Sequence, residues 1–316
     1  MTGPPAPRHP PATGARHLRA AVVGHLEWTT LARVRQLPAR GDIVHADVLW
    51  EGPAGGGAVA AVRLAALAGA CTFFTALGDD QAARRSREVL GRLGVEVVAA
   101  VRERPTRSAV SLVDASGERT TTTLGARLQP EEADDLPWET LRSCDTVYFT
   151  AGGAGALARA RQAAVLTATS REFPLLTTAG IPVDAMVGSA DDPAERCDPT
   201  GLPRPPGLLV VTEGAQGGVY RARGGTARRY RAVRPPRPVV DCYGAGDNFA
   251  AALAFALGTG SGAAEAVTFA AGTAALCAAT RGPYAVPRTP GPTEPHRSNR
   301  GAPCAPPSFS GTSTTP

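Results

Sequence analysis

Residues Gly244, Ala245 and Gly246 form a glycine turn that ends in Asp247, within the stretch VVDCYGAGDNFAAALAFAL at residues 239–257. In an open α/β sheet, ligands bind beyond the carboxyl ends of the strands, where helices begin. The free N–H groups of such a turn, together with the positive end of the helix, favour an anion the size of a phosphate. A carboxylate on the same turn can accept the proton of an attacking hydroxyl group. The turn therefore indicates phosphoryl transfer, whereas an ordinary helix cap would explain the aspartate alone.

Composition excludes several other chemistries. The chain has 316 residues, a hydrophobic fraction of 43% and a formal net charge of +5, and all 33 of its Lys and Arg positions are Arg. The absence of Lys excludes a Walker-type phosphate loop and a Schiff-base lysine. The arginines are scattered without interleaved aromatic residues, so we expect no binding of nucleic acid. The length is sufficient for one large core or two modest ones.

The cysteines and the apolar segments bear on the cellular compartment. The six cysteines are far apart and include no Cys-x-x-Cys pair, which favours reduced thiols over a zinc site or a disulfide framework. No run of about 18 apolar residues is present, so we expect no membrane span. The first residues, MTGPPAPRHPPATGARH, lack the apolar segment of a signal peptide. These features predict a cytoplasmic protein.

Strand and helix signals alternate between two proline-rich ends. Residues 1–18 and 287–316 are predicted to be disordered. Between them, residues 19–286 alternate buried strands with helices, which predicts a mainly parallel sheet covered on both faces. In the second half the pattern predicts strands at residues 145–150, 173–179, 185–190 and 207–214, and helices at 155–170 and 265–280. Residues 30–50 and a hairpin within 105–124 do not fit the alternation and are predicted to form a small β lid.

Most of residues 20–284 resemble the ribokinase-like (PfkB) family of sugar and nucleoside kinases. VVDCYGAGDNF resembles the family's C-terminal signature, Asp-Thr-x-Gly-Ala-Gly-Asp-x-Phe, and GGGAVAAVRLAALAGACTFFTALGDD resembles its glycine-rich N-terminal signature. Three further segments match family motifs in order: RPTRSAVSLVDASGERT, LLVVTEGAQGGVY and FAAGTAALCAATRGP. The resemblance implies a three-layer α/β/α core with a mainly parallel sheet and a small β-strand lid. It also implies transfer of the γ-phosphoryl group of ATP to a hydroxyl of a sugar or sugar-like molecule.

The resemblance also implies roles for individual residues. Asp247 would be the general base, and the turn before it would supply the amides of the anion hole. Asp241 would hold the turn, near a monovalent cation such as K⁺. The residues placed on the nucleotide side are Thr212, Gly214, Gly217, Ala271, Ser189 and Asp192. The family's magnesium-linked Asn-x-x-Glu has its nearest match in Ser189-Ala-Asp-Asp192, where a shorter acid and the lost amide leave Mg²⁺ mostly to phosphates and water.

The acceptor side departs further from the family. Thr29 stands where the family places an aspartate on the first strand, and Glu27 lies on the same face of that strand. Gly55 and Gly56 remain and can approach a substrate through backbone, with Asp241 and Asp247 completing the predicted acceptor site. Because a site that binds hydroxyls loses affinity without its polar partners, we expect an acceptor other than ribose held in the usual way. Glu27 is either a replacement contact for a hydroxyl or a solvated carboxylate at a strand end.

Other polar and aromatic residues have two interpretations each. The pair Asp79–Asp80 lies at the rim of the site or caps the next helix, and capping is favoured. Arg107 binds an anionic acceptor or lies at the surface. Trp28 and Trp50 stack on a sugar ring or cover apolar surface. His25, at a strand end without a paired acid nearby in the sequence, is interpreted as structural.

Two functions remain open at this point. The first is a PfkB-type carbohydrate kinase with ATP and Mg²⁺. The second is a regulatory protein on the same fold that binds a nucleotide or sugar with weak or no catalysis. Analogy with the family also suggests a homodimer that forms through the lid.

Overall fold

The computed structural model describes residues 18–115, 119–198 and 201–284. The predictions of disorder for residues 1–17 and 287–316 lie outside these ranges. The described residues form a nine-stranded sheet, a separate four-stranded sheet and six α-helices.

The large sheet is parallel over seven of its strands. Its strand order is β13-β12-β11-β10-β9-β8-β1-β4-β5, with β12 and β13 antiparallel at one edge. The strands are β1 (Ala20–Val23), β4 (Cys71–Gly78), β5 (Val95–Arg102), β8 (Thr146–Phe149), β9 (Val165–Thr169), β10 (Ala185–Ser189), β11 (Leu208–Thr212), β12 (Gly218–Ala222) and β13 (Arg228–Tyr230). The carboxyl ends of the parallel strands therefore meet at one side of the sheet, where the predicted site residues follow them.

Helices cover both faces of the sheet. They are α1 (Gly55–Ala68), α2 (Gln81–Arg92), α3 (Ala154–Ala160), α4 (Phe173–Ala179), α5 (Ala245–Gly258) and α6 (Ala263–Ala278). Alternate residues of β1 belong to two different cores: Val22 packs with α1, α5 and α6, while Val23 packs with α3 and α4. This alternation is what a strand buried on both faces requires. The predicted three-layer α/β/α architecture is confirmed.

The lid is the four-stranded sheet, with strand order β3-β2-β6-β7. It consists of β2 (Glu27–Arg33), β3 (Asp47–Ala54), β6 (Ser108–Val113) and β7 (Arg119–Leu124). The structure extends the first lid segment to residues 27–54, beyond the predicted 30–50. Because β2 follows β1 after three residues and β3 runs straight into α1, the lid begins and ends at the predicted site.

Two secondary-structure predictions in the second half were wrong. Residues 173–179 form helix α4 rather than a strand, with Pro174 in its first turn. The predicted helix at 155–170 divides into α3 and the strand β9. In a segment as short as α4, periodicity does not separate a strand from a helix, and the second segment changes from helix to strand within one run of 16 residues.

Candidate active site

The glycine turn stands at the amino end of α5. Gly244 has φ of 77°, a left-handed conformation that favours glycine, and Asp247 lies in the first turn of the helix. The Ala245 N–H donates to the Cys242 carbonyl at 3.2 Å, so it closes the turn. The N–H groups of Gly246 and Asp247 are in the first turn, where a helix offers no acceptor. A Cβ placed on Gly246 would meet no described atom within 4 Å, so the turn is open beside this residue.

Asp247 is a half-buried carboxylate with a shifted pKa. Burial and the charge of Glu195 raise its pKa from 3.8 to about 6, against the opposing charges of Arg119 and Arg171. A general base works best when its pKa approaches the working pH. Its Oδ1 lies 3.1 Å from the position that a Cβ on Gly56 would take. The turn and the glycine pair of α1, distant in sequence, therefore form one site.

The other member of the glycine pair contacts the start of the lid. Gly55 has φ of 79°, and a Cβ there would stand 3.1 Å from the His25 ring and 3.3 Å from Cγ of Glu27. Burial, followed by the charges of Arg127, Arg107 and Arg171, lowers the His25 pKa to about 3. The imidazole is therefore neutral, and its Nδ1 is buried without a hydrogen-bond partner among the described residues.

Glu27 is buried beside an arginine. Its exposed fraction is 7%, and its carboxylate lies 3.6 Å from Nε of Arg107. Burial raises its pKa, and the charge of Arg107 partly offsets that effect. The alternative of a solvated strand-end carboxylate is thus wrong. A surface position for Arg107 is wrong too, because its guanidinium is mostly buried and also donates to Thr123 Oγ1 at 2.5 Å.

Thr29 and Asp241, both predicted near the acceptor, make hydrogen bonds to the segment that contains the turn. Thr29 has an exposed fraction of 0% and accepts a hydrogen bond from the Tyr243 hydroxyl at 3.3 Å. Asp241, 1% exposed, accepts from the N–H groups of Tyr243 at 3.0 Å and Gly282 at 2.9 Å. Both side chains are thus buried, and both Asp241 oxygens bind backbone N–H groups, which agrees with the predicted role of Asp241 in holding the turn.

The predicted nucleotide residues gather at the ends of β10 and β11. Ser189 and Thr212 are paired in the strand ladder, and the Thr212 hydroxyl donates to the Gly188 carbonyl at 3.3 Å. Gly214 has φ of 52°, and a Cβ there would lie 3.4 Å from a carboxylate oxygen of Asp191. Gly217 closes the same loop, since its carbonyl accepts from the Glu213 N–H at 2.8 Å. Ala271 is buried on α6, in the same core cluster as Val187 of β10 and Val210 of β11.

The loop after β10 contains two acids, Asp192 and Glu195, that pair with one arginine. Asp192 forms an ion pair with Arg171 and accepts from the Ala194 N–H at 2.9 Å, so its oxygens are engaged within the loop. Arg171 also pairs with Glu195 at 3.1 Å. Glu195 is the carboxylate whose charge raises the pKa of Asp247, and burial raises its own pKa. Glu195 was not predicted as a site residue, because it stands six residues after Ser189 whereas the family motif places its acid three residues after the asparagine.

The aromatic residues cover apolar surface. Trp50 packs against Tyr243 and Tyr284, with ring centroids 6.4 Å and 5.6 Å apart. Trp28 donates to Glu51 at 2.6 Å and lies beneath a guanidinium. Asp80 caps α2 by accepting from the Ala83 N–H at 2.8 Å, as favoured.

Across the ranges that the structure describes, no cluster of three or more His, Cys, Asp or Glu side chains could hold a metal ion, and no helix is long and apolar enough to cross a membrane.

Comparisons with known proteins concern the family and the fold of the chain. The family model described as pfkB family carbohydrate kinase matches residues 18–171 and 154–290. The adenosine kinase from Sinorhizobium meliloti has a TM-score of 0.70 at 21% identity, covering 84% of this chain and 95% of that one. The ribokinase of Arabidopsis thaliana, solved with ribose and ATP, has a TM-score of 0.66 at 21% identity, covering 85% and 96%. Both likenesses show a shared fold.

A sequence relative is similar over a shorter segment. Acarbose 7(IV)-phosphotransferase from Actinoplanes sp. (strain SE50/110) is 53% identical over 49 residues, which are 15% of this chain and 16% of that protein. The match therefore spans a small part of either protein. The family pattern, in contrast, extends from residue 18 to residue 290 and includes the glycine pair and the Asp247 turn. The chain belongs to the pfkB family of carbohydrate kinases.

Proposed function

We propose that the protein transfers the γ-phosphoryl group of ATP to a hydroxyl of a sugar or sugar-like acceptor. One observation carries the proposal: Asp247 and the amides of Gly246 and Asp247 share one turn, and Gly56 places the head of α1 against the same carboxylate. An ordinary helix cap requires neither the open space beside Gly246 nor the raised pKa of the Asp247 carboxyl.

In the proposed reaction Asp247 takes the proton from the acceptor hydroxyl. The acceptor oxygen forms a bond to the γ-phosphorus, the bond from that phosphorus to the bridging oxygen breaks, and ADP leaves with the electron pair. The N–H groups of Gly246 and Asp247 stabilise the charge on the transferring group. Because the transition state places charge mainly on phosphoryl oxygens, positioning and electrostatics supply most of the catalysis.

ATP would lie along the ends of β10 and β11, beside Thr212, Gly214 and Ser189, with Gly217 shaping the loop and Ala271 behind it. Mg²⁺, when bound, neutralises phosphate charge and orients the γ-phosphoryl group. The carboxylates of Asp192 and Glu195 both pair with Arg171, so either would act on such an ion indirectly, and phosphates and water would supply most of its ligands. A monovalent cation such as K⁺ near Asp241 stays a prediction from the family resemblance, since both oxygens of that carboxylate accept from backbone N–H groups.

The acceptor would lie between the lid and the core, beside Gly55, His25 and Glu27. Arg127 stands near His25 and lines a cavity of about 730 Å³ at the base of the lid, together with Arg102, Gln129 and Glu131. These four side chains offer hydrogen-bond donors and acceptors to the hydroxyls of a sugar that extends from the acceptor site into this cavity. The name of the relative adds acarbose to the acceptors worth testing.

An acceptor screen by mass tests the proposal. The purified protein is incubated with ATP and Mg²⁺ against monosaccharides, oligosaccharides, acarbose, sugar acids and nucleosides, and products are examined for the gain of one phosphoryl group. Asp247→Asn is the control and is expected to lose nearly all turnover. Equal turnover in the variant would refute the role of Asp247. Binding of ATP and acceptor without product would favour the regulatory alternative. Cytoplasmic location and a homodimer through the lid stay predictions.

A further inference from the structure

Arg63 is a buried arginine in the middle of α1. It is 6% exposed, and its Nε donates to Oδ1 of Asn248 at 2.7 Å. Burial lowers its pKa, which reflects the cost of removing a guanidinium from water. Arginine is almost never fully buried unless its charge is paired or hydrogen-bonded. A charge placed between α1 and α5 therefore calls for an explanation beyond packing.

Asn248 is the partner of Arg63 and directly follows Asp247. It is 1% exposed, and its Nδ2 donates to the carbonyl oxygens of Gly244 at 2.8 Å and Pro283 at 2.9 Å. An asparagine amide offers two N–H donors and one oxygen acceptor, so this side chain is satisfied. The bond from Arg63 also selects the orientation of the amide, because the reverse orientation would place N–H groups against the guanidinium.

These bonds join the glycine turn to the loop after α6. Asp241 binds the Gly282 N–H at the start of the turn, and Asn248 binds the Pro283 carbonyl at its end. Gly244, whose carbonyl Asn248 also holds, is the left-handed residue that directs the following amides. The turn is thus fixed at both ends to the same two-residue segment.

We propose that Arg63 and Asn248 are positioning residues that set the direction of the Gly246 and Asp247 amides and of the Asp247 carboxylate. The inference rests on the proposed kinase function of that turn. Neither residue touches a substrate in this assignment. Arg63 acts through Asn248, and Asn248 acts through the Gly244 and Pro283 carbonyls.

The expected effect of losing the bridge is on turnover. A displacement of about 1 Å at a reacting group can reduce a rate about 100-fold. Asn248→Ala removes the bond from Arg63 and the bonds that Nδ2 donates to the Gly244 and Pro283 carbonyls and to the Cys277 sulfur at 3.4 Å. Asn248→Asp keeps the oxygen that Arg63 binds but donates nothing to the two carbonyls. We expect both variants to lower kcat by about 10- to 100-fold, with the KM for the acceptor changed less than about twofold.

Variants of Arg63 test whether this residue acts through Asn248. Arg63→Met keeps the bulk but offers no donor, and we expect kcat to fall about 10-fold. Arg63→Lys offers a donor again and is expected to restore most of that loss. Because both residues act through one turn, the double variant Arg63→Met/Asn248→Ala should be no worse than Asn248→Ala alone.

Thr146→Val is the matched control. Thr146 donates from β8 to the Ala254 carbonyl at 2.9 Å, so its loss weakens the anchoring of the same helix α5 away from the turn. We expect it to reduce the melting temperature while leaving kcat per folded molecule unchanged. An equal fall in kcat for Thr146→Val and Asn248→Ala would overturn the proposal, since general destabilisation would then explain both.

Hydrogen exchange gives a readout that is independent of activity. In Asn248→Asp and Arg63→Met we expect faster amide exchange in peptides covering residues 241–248 and 280–284, with exchange in β1 and β8 unchanged. Unchanged exchange in both segments would refute the bridge. A wild-type protein that phosphorylates no acceptor would refute the kinase function instead, and the exchange data would still decide whether the bridge exists.

Discussion

The Asp247 carboxylate lies directly against the backbone of Gly56, with Oδ1 3.1 Å from the place of a Cβ on that glycine. Gly56 lies in the first turn of α1 and Asp247 in the first turn of α5, so the amino ends of the two helices meet at one carboxylate. Such a separation is tighter than ordinary van der Waals contact, and only a residue without a Cβ leaves the carboxylate its present position. The relationship explains why the chain has glycine there, and it provides the first prediction.

We expect Gly56→Ala to reduce kcat at least about 10-fold, because the new methyl group displaces the Asp247 carboxylate from its place beside the acceptor. The measurement is steady-state transfer to the best acceptor from the screen. Gly91→Ala in α2 is the matched control, since a Cβ there would meet no described atom within 4 Å. It should keep full activity and gain about 0.5–1 kcal/mol of stability. A fully active Gly56→Ala would contradict the closeness of the two groups.

The second prediction concerns the pH dependence of turnover. Asp247 has a pKa of about 6 and acts as a base only when deprotonated, so kcat/KM should rise with pH through about 6. Removing the positive charge in Arg119→Ala raises that pKa and should move the rise to higher pH. Glu195→Gln removes a negative charge and lowers the pKa of Asp247, so the increase in kcat/KM should occur at lower pH. A pH profile that shifts in neither variant would show that another group controls the rate.

The third prediction concerns stability. The folded state raises the pKa of Asp247 from 3.8 to about 6, so it binds the proton more tightly than the unfolded chain does. The carboxylate therefore costs stability as pH rises from about 4 to about 6, and the full cost persists above that range. Asp247→Asn removes the charge, and its melting temperature should exceed that of the wild type by a few degrees at pH 7.5.

That difference should become small near pH 4, where both proteins are neutral at this position. Asp79→Asn is the control, because its side chain is 87% exposed and its charge is solvated. It should leave the melting temperature nearly unchanged at both pH values. A lower melting temperature for Asp247→Asn at pH 7.5 would mean that the carboxylate stabilises the fold, against the direction of its pKa.

The fold and the glycine turn were predictable because their signals are local in the sequence. Alternating strands and helices imply the layers, and Gly244 to Asp247 lie next to one another in the chain. Long-range side-chain contacts left no such signal. The bond from Arg63 to Asn248 joins residues 185 positions apart. Thr29 occupies a family position, yet the hydroxyl of Tyr243 reaches it only after the lid packs on the turn.

Glu195 illustrates a different limit. The family spacing directed attention to Asp192, whereas Glu195, at the end of the 3₁₀ turn Pro193–Glu195, is the acid whose charge contributes to the raised pKa of Asp247. Spacing along a chain predicts position only while the backbone conformation is the same. The prediction of a strand at α4 was wrong because a segment of seven residues is too short for its periodicity to separate a strand from a helix.

The last prediction concerns the acceptor. Glu27 is buried beside Arg107 and contacts the position of Gly55, at the place where the lid leaves the core. If its carboxylate accepts a hydrogen bond from an acceptor hydroxyl, Glu27→Gln should raise the KM for the acceptor about 10-fold and leave the KM for ATP unchanged. Glu96→Gln is the control, since Glu96 is exposed on β5 and accepts only from the Thr72 hydroxyl at 3.2 Å among the bonds that the structure describes. Equal rises in both KM values would indicate a displaced lid, because Glu27 begins β2, and would assign Glu27 to support of the lid instead of contact with the acceptor.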